Sequence, residues 1–311
     1  MVSRMMGQPF SIEAEVGLYY NLCHDYVNFT PDCGLLQTPC LASGDTGMNN
    51  FGGKREWLDG NDGILATRDG LDEYEWKKPG RWCHEKFNDY ANLLPQGMKL
   101  VIRPLGVFEN VRRLMGFVPL SFALYDDEAF ITEVFGRVGE AIYGSLKVTF
   151  DQVDLSHAFA VIMGDDLAAG HGTLVNPDIY RKHVFPWMKR CADLAHSHGM
   201  PFGLHSCGDN EQIMEDLISD VGIDAKHSFQ DNVIPVQDFT RKYGSRIAVL
   251  GGIDMHKLST LDDESFTTYC RETLQACRQG GGYALGTGNS PATYIRLENF
   301  LLMHKIGLGL V

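Results

Sequence analysis

Short runs of consecutive apolar residues alternate along this chain with longer segments whose apolar positions recur every three or four residues. The alternation becomes regular after Leu100. The apolar runs read as strands: Leu100-Val101-Ile102, then 158–163, 202–205, 225–229, 247–250 and 283–285. Between them the spacing predicts helices around Val111, Leu114 and Met115, and over 127–149, 212–219, 236–243, 264–278 and 293–305. A further helix opens at Asn176-Pro177-Asp178, because Asn is a favoured N-cap and Pro suits the first helical position. Gly199 is placed to end that helix, and Pro186 should kink it.

Continuous apolar strands separated by helices imply a parallel sheet covered on both faces. This many units favours a closed (β/α)8 TIM barrel over an open doubly wound sheet. Residues 1–99 are less regular and read as an aromatic-rich N-terminal extension with the first barrel elements, leaving 100–311 as the main part of the barrel in one domain overall. Only Tyr26-Val27-Asn28-Phe29 stands out there as a strand, between turn-rich tracts such as Gly44-Asp45-Thr46-Gly47. The aromatics Trp57, Tyr74, Trp76 and Trp82 either line a binding mouth or pack the extension onto the body.

A length of 311 residues suits one barrel plus an extension, and 44% hydrophobic with 22% charged residues is ordinary for a soluble protein. No apolar run approaches a membrane span, and the opening residues lack the features of a secretory signal. Eight cysteines at irregular spacing do not read as a disulfide framework, so reduced thiols and a cytoplasmic location are expected. The net charge of −13 argues against nucleic acid or an anionic membrane as the main partner. Small molecules and other proteins remain.

In a barrel the chemistry sits at the carboxyl ends of the strands. Gly164-Asp165-Asp166, His205-Ser206-Cys207, Gly251-Gly252-Ile253-Asp254 and Gly286-Thr287-Gly288-Asn289 all fall there. The two-residue period of a strand puts His205 and Cys207 on one side, where an imidazole and a thiol could bind zinc. The plainer alternative is a hydrogen-bonded histidine beside a buried thiol. By the same period only one of Asp165 and Asp166 reaches the mouth, as metal ligand or general acid-base, while the other bonds backbone. Asp254 follows two glycines that serve either a ligand or a tight turn. Arg103 is a candidate anion binder, whereas Arg112 and Arg113 should form salt bridges on their helix. His171, His183, His196 and His198 fall on a loop or helix faces and should be solvated.

These stretches, taken in order with Gly281-Gly282-Tyr283, resemble the uroporphyrinogen decarboxylase superfamily over about Leu100 to the C-terminus. Trp57-Leu58-Asp59, Gly63-Ile64-Leu65 and Tyr74-Glu75-Trp76 bring the likeness closer to its corrinoid-dependent methyltransferase branch. The arginine-rich N-terminal segment of the true decarboxylases is not apparent. The resemblance implies a barrel that moves a methyl group between a small molecule and a corrinoid supplied by a partner protein. It implies zinc on His205 and Cys207, but Asn289 stands where thiol-methylating members are expected to hold a third ligand, a cysteine. Asn289-Ser290-Pro291 looks more like members that demethylate methoxylated aromatics or methylamines.

The expectation is therefore a demethylating methyltransferase. His205, Asp165, Asp166 and Asp254 are its candidate catalytic groups. Arg103, Asn289 and Trp76 are substrate-binding candidates, and His205 and Cys207 are metal ligands. A small methylated substrate and a corrinoid protein are the expected partners, with a homodimer allowed. Two alternatives stay open: a cofactor-independent decarboxylase of a porphyrinogen-like acid, and a non-catalytic barrel that binds a corrinoid protein.

Overall fold

In the computed structural model of the protein, the described residues are 5, 7, 9–35, 41, 42, 57, 58, 62–291 and 294–311. Seven strands pair in parallel and in chain order: β1 (Tyr26–Phe29), β2 (Lys99–Ile102), β3 (Ala158–Gly164), β4 (Phe202–His205), β5 (Ala225–His227), β6 (Ala248–Leu250) and β7 (Tyr283–Ala284). Among the described residues β1 and β7 are the edges of this sheet.

Register explains which side chains face which way. Pairing of Phe29 with Ile102, Ile102 with Val161, and Val161 with Phe202 puts these residues on one face. There they are buried in a single apolar cluster with the helices. The opposite parity holds Val101, Ala160, Ile162 and Gly203 and, toward the carboxyl ends, Gly164, Arg103 one step beyond β2, and His205 opposite His227. The inner face therefore has room and polarity at one end.

The helical layer comprises α1 (Ile12–Asn21), α2 (Val107–Met115), α3 (Phe117–Asp126), α4 (Glu128–Gln152), α5 (Phe185–Ser197), α6 (Val236–Tyr243), α7 (Met255–Thr260), α8 (Asp263–Cys277) and α9 (Leu297–Gly307). The Asp127 carboxylate caps α4 by accepting from Phe130 N, and the Asn176 side chain accepts from Asp178 N with Pro177 at the first turn. The bend expected at Pro186 takes the form of a π-helical turn, Tyr180–Val184, directly before α5. Proline has no N–H for the carbonyl one turn back, so the bonding is rearranged ahead of it. Gly199 ends α5 at φ +70°. The helix expected over 212–219 is irregular, a 3-10 turn at Glu211–Ile213 and a π turn at Asp216–Val221.

The N-terminal region carries more regular structure than its pattern suggests. Ser11 caps α1, and the helix Glu85–Ala91 buries Phe87 in the main core. Expectations for 44–47, for Asp59, for the start of the last helix at Thr293 and for the Trp57 side chain fall outside the described residues. His183 is a correction. It is only 6% exposed and its ring stacks on Phe135 at 5.4 Å, because the π turn that carries it packs against α4. Arg112 and Arg113 both pair with Glu109 as expected.

Candidate active site

The carboxyl ends of β3, β4 and β5 bring Asp166, His205, Cys207, His227 and Ser228 together. Asp166, His205 and Cys207 each offer a donor atom, all within 4.8 Å of one another. His205 Nε2 is 3.6 Å from Cys207 Sγ and 4.0 Å from an Asp166 carboxylate oxygen. Ligand atoms about 2.0–2.3 Å from a tetrahedral zinc are separated by roughly 3.3–3.8 Å, so the set needs only small adjustment to hold one. Three protein ligands leave a fourth position for substrate. The residues present fit a zinc ion.

Backbone geometry explains the convergence. Gly164 pairs with His205 across the sheet, so the two-residue period turns Asp166 inward and Asp165 outward. Asp166 also accepts from Cys207 N at 2.9 Å, tying the two loops. Asp165 is fully buried and accepts from Phe108 N and Glu109 N, which makes it the cap of α2. Burial pushes its carboxyl pKa up to about 7, against the pull of those two N–H groups.

The protonation pattern of the histidines follows from their partners. His227 Nε2 lies 3.0 Å from the carbonyl of Thr287, which can only accept, so His227 is protonated there and has a bare Nδ1. That Nδ1 is 2.6 Å from His205 Nδ1, which must then be the donor. His205 is left with a lone pair on Nε2, the atom facing Asp166 and Cys207. Burial keeps both rings neutral. It pushes His205 down to about 4, opposed by Asp166 and helped by Arg103 and Lys226. It pushes His227 down to about 3, with His205 as the next cause.

The thiol of Cys207 is held in its protonated form, pushed up to about 11 by burial and then by Asp166. Asn289 Nδ2 donates to its sulfur at 3.3 Å and Ser228 Oγ lies 3.8 Å away. Asn289 thus touches the candidate metal ligand although its carbonyl is turned elsewhere, accepting from Ser290 N. Gly251, at φ +85°, is needed for the close packing beneath. A Cβ there would meet Thr287 O at 2.4 Å and the His227 ring at 2.8 Å.

Other sequence candidates lie apart from the triad. Asp254 caps α7, accepting from His256 N and Lys257 N with one oxygen and from Asp231 N with the other. Trp76 packs at 4.6 Å on Tyr74 and under the Arg137 guanidinium on α4, in the helical layer. Arg103 follows β2 at its carboxyl end.

Three participants, His227, Ser228 and Lys226, were not singled out by sequence. His227 ends its strand as His205 does, so the strand-end criterion applied evenly would have found it. Lys226, 3% exposed, points to the helical side, where its Nζ donates to Ser206 O and Ser228 O and lies 4.8 Å from the Phe229 ring centre. Burial lowers its pKa to about 8.

A parallel α/β sheet with its polar groups at the carboxyl ends of the strands is a layout shared by barrel and doubly wound α/β enzymes. The model of the family described as uroporphyrinogen decarboxylase matches residues 125–306, more than half of the chain. The chain belongs to that family. No curated protein gives a significant match. In fold, it is similar to a methyltransferase from Methanosarcina mazei, with a TM-score of 0.69 and 15% identity over 99% of this chain and 90% of that one. It is also similar to a putative vitamin-B12 independent methionine synthase from Listeria monocytogenes, with a TM-score of 0.51 and 11% identity over 96% and 84%. No helix among the described residues is long and apolar enough to cross a membrane.

Proposed function

We propose that the protein is a methyltransferase that takes a methyl group from a small methylated substrate and delivers it to a corrinoid carried by a partner protein. The donor is of the methoxylated aromatic or methylamine type. The observation that carries this reading is the convergence of Asp166, His205 and Cys207 around a bare His205 Nε2. The fold it shares with the M. mazei methyltransferase supports it. The reading includes closure of the sheet into a (β/α)8 barrel, in which an eighth strand would join β7 to β1; α9 returning to the start of β1, where His304 meets His24 at 2.9 Å, supports it.

In such a transfer the acceptor's electron pair would form the new bond to the methyl carbon, and the old C–O or C–N bond would break with its own bonding pair going to oxygen or nitrogen. A leaving alkoxide, phenolate or amine needs positive charge beside it at that moment. His205 is unsuited to donate a proton there, because its only N–H faces His227 and burial keeps the ring neutral. Its role is that of a ligand. A zinc ion held by Asp166, His205 and Cys207 would supply Lewis acidity to the leaving atom. The chain's own residues set the geometry: His227 orients His205, Asn289 fixes the Cys207 sulfur, and the Asp166 bond to Cys207 N holds the two loops in register.

The test has two parts. Elemental analysis should find about one zinc per chain, lost in a His205→Ala, Cys207→Ala double variant. The loaded protein should transfer methyl groups from a methyl ether or methylamine to a Co(I) corrinoid in the presence of a competent carrier protein. No transfer from any such donor would sink the proposal. The family match keeps a second reading, a cofactor-independent decarboxylase, which carbon dioxide release from a porphyrinogen or pyrrole acid would reveal.

A further inference from the structure

Arg103 follows β2 on the inner face, and its backbone N–H donates to Phe29 O at 2.7 Å, which fixes it at the edge of the mouth. Its guanidinium reaches across β3: a Cβ built on Gly164 would find Arg103 Nη2 at 3.5 Å and no other heavy atom within 4 Å. Gly164 pairs with His205 on the next strand. The guanidinium therefore stands over open space beside the triad, close enough for its charge to disfavour protonation of both His205 and His227.

Other arginines, such as Arg68 with Asp127 and Arg181 with Asp178 and Asp216, face carboxylates. Among the described residues no side chain or carbonyl accepts from the Arg103 guanidinium. Burial holds its pKa below the ordinary value, and only the phenols of Tyr26 and Tyr19 act in the other direction. A partly desolvated cation of this kind is costly to keep without a counter-charge, and a planar fork of donors matches a carboxylate bidentately. A cavity of about 400 Å³ opens at the ends of the same two strands, lined by Thr30, Asp32, Lys77 and Leu105. Leu105 is two residues beyond Arg103, so a substrate reaching from the triad past Arg103 has room to continue.

We propose that Arg103 anchors a carboxylate of the substrate, so that the methylated donor is an anionic methyl ether and not an ammonium compound. The substrate class rests on the methyl-transfer reading above; the anion site rests on Arg103 itself. It narrows the two donor types, because a fixed guanidinium beside the leaving group repels methylammonium and attracts methoxylated acids.

Calorimetric titration of the zinc-loaded protein with 4-methoxybenzoate, methoxyacetate, methoxybenzene and (4-methoxyphenyl)trimethylammonium tests this. At least one of the two acids should bind more tightly than methoxybenzene, and the ammonium compound most weakly. Arg103→Gln should weaken the acid roughly 10- to 100-fold and leave methoxybenzene unchanged, with Arg103→Lys in between. No binding of either acid by the wild type, or equal losses for charged and neutral compounds in Arg103→Gln, would overturn the anchor.

Binding is read without turnover, so the two ideas fail separately. Acids that bind through Arg103 yet donate no methyl group leave the anchor standing and remove the transfer reading. Efficient transfer from neutral or ammonium donors, unaffected by Arg103→Gln, does the reverse. An acid whose carboxylate is released as carbon dioxide is a substrate for decarboxylation, and Arg103 would then hold the leaving group and not an anchor.

Discussion

The Nδ1 atoms of His205 and His227 lie 2.6 Å apart, and the Thr287 carbonyl behind them decides which one carries the proton. The relay runs from a backbone carbonyl through two rings to a lone pair that faces Asp166 and Cys207. It makes His205 a preformed ligand.

Replacing His227 with Phe keeps a ring of similar size but removes the acceptor for His205 Nδ1–H. Zinc affinity, measured by competition with a chelator, should fall roughly 10- to 100-fold while circular dichroism stays unchanged. Nitrogen chemical shifts of wild-type His205 in the metal-free protein should report the Nδ1–H tautomer. An unchanged affinity would mean that His227 does not orient the ligand.

Adjacent carboxylates should behave differently. Asp166→Asn should lose most of the zinc, because it removes a charged ligand. Asp165→Asn should keep it and lose about 1 kcal/mol of stability, since an amide replaces the carboxyl group that caps α2. The sign of the pH effect follows from Asp165's raised pKa. The folded state holds a proton up to about pH 7 that the unfolded state releases near its ordinary value of 3.8. Wild-type stability from this group is therefore full at low pH and declines as pH rises through that window. The deficit of Asp165→Asn, followed by urea unfolding, should shrink from pH 4 to pH 8.

What sequence could reveal here was periodicity and punctuation. Strand ends, the Asn176-Pro177 start and the Gly199 stop depend on a few local residues, so they could be read directly. Which aspartate turns inward could not, because it depends on the pairing of Gly164 with His205 across the forty residues between them. Lys226 was hidden for another reason. A charged residue in an apolar layer contradicts its own hydropathy, and the carbonyls that accept from it belong to two different strand ends. The seven-strand count likewise depends on pairing that apolar runs alone do not specify.

At the opposite end of the sheet, His24 and His304 face each other through their Nε2 atoms, 2.9 Å apart. Burial pushes His24 down to about 4, with His304 as the next cause, and burial also lowers His304. Below the ordinary histidine value of 6.5 the unfolded chain takes up protons that the folded one refuses. The fold should therefore lose stability as pH falls from about 6.5 to 4. His24→Phe, which retains the ring against Tyr19, should flatten that part of the profile. An identical slope in wild type and variant between pH 7 and pH 5, measured by urea unfolding, would rule out this pair as its source.

Lys226 joins the fold to the site most directly. Its Nζ donates to the carbonyls of Ser206 and Ser228, which flank the two strand ends that carry Cys207 and His227. The rings of Phe229 and Phe239 on α6 lie against the same ammonium. Lys226→Met keeps the length and apolar stem but leaves two buried acceptors without a donor. The lost bonds outweigh the relief of no longer burying an amine, so unfolding should become easier by about 2 kcal/mol. Ser206 also places its hydroxyl between Leu167 N and Asn210, so the Cys207 loop should loosen with it. Zinc affinity should fall even at temperatures where the variant is fully folded. Reduced stability with unchanged zinc affinity would make Lys226 a strut of the core alone.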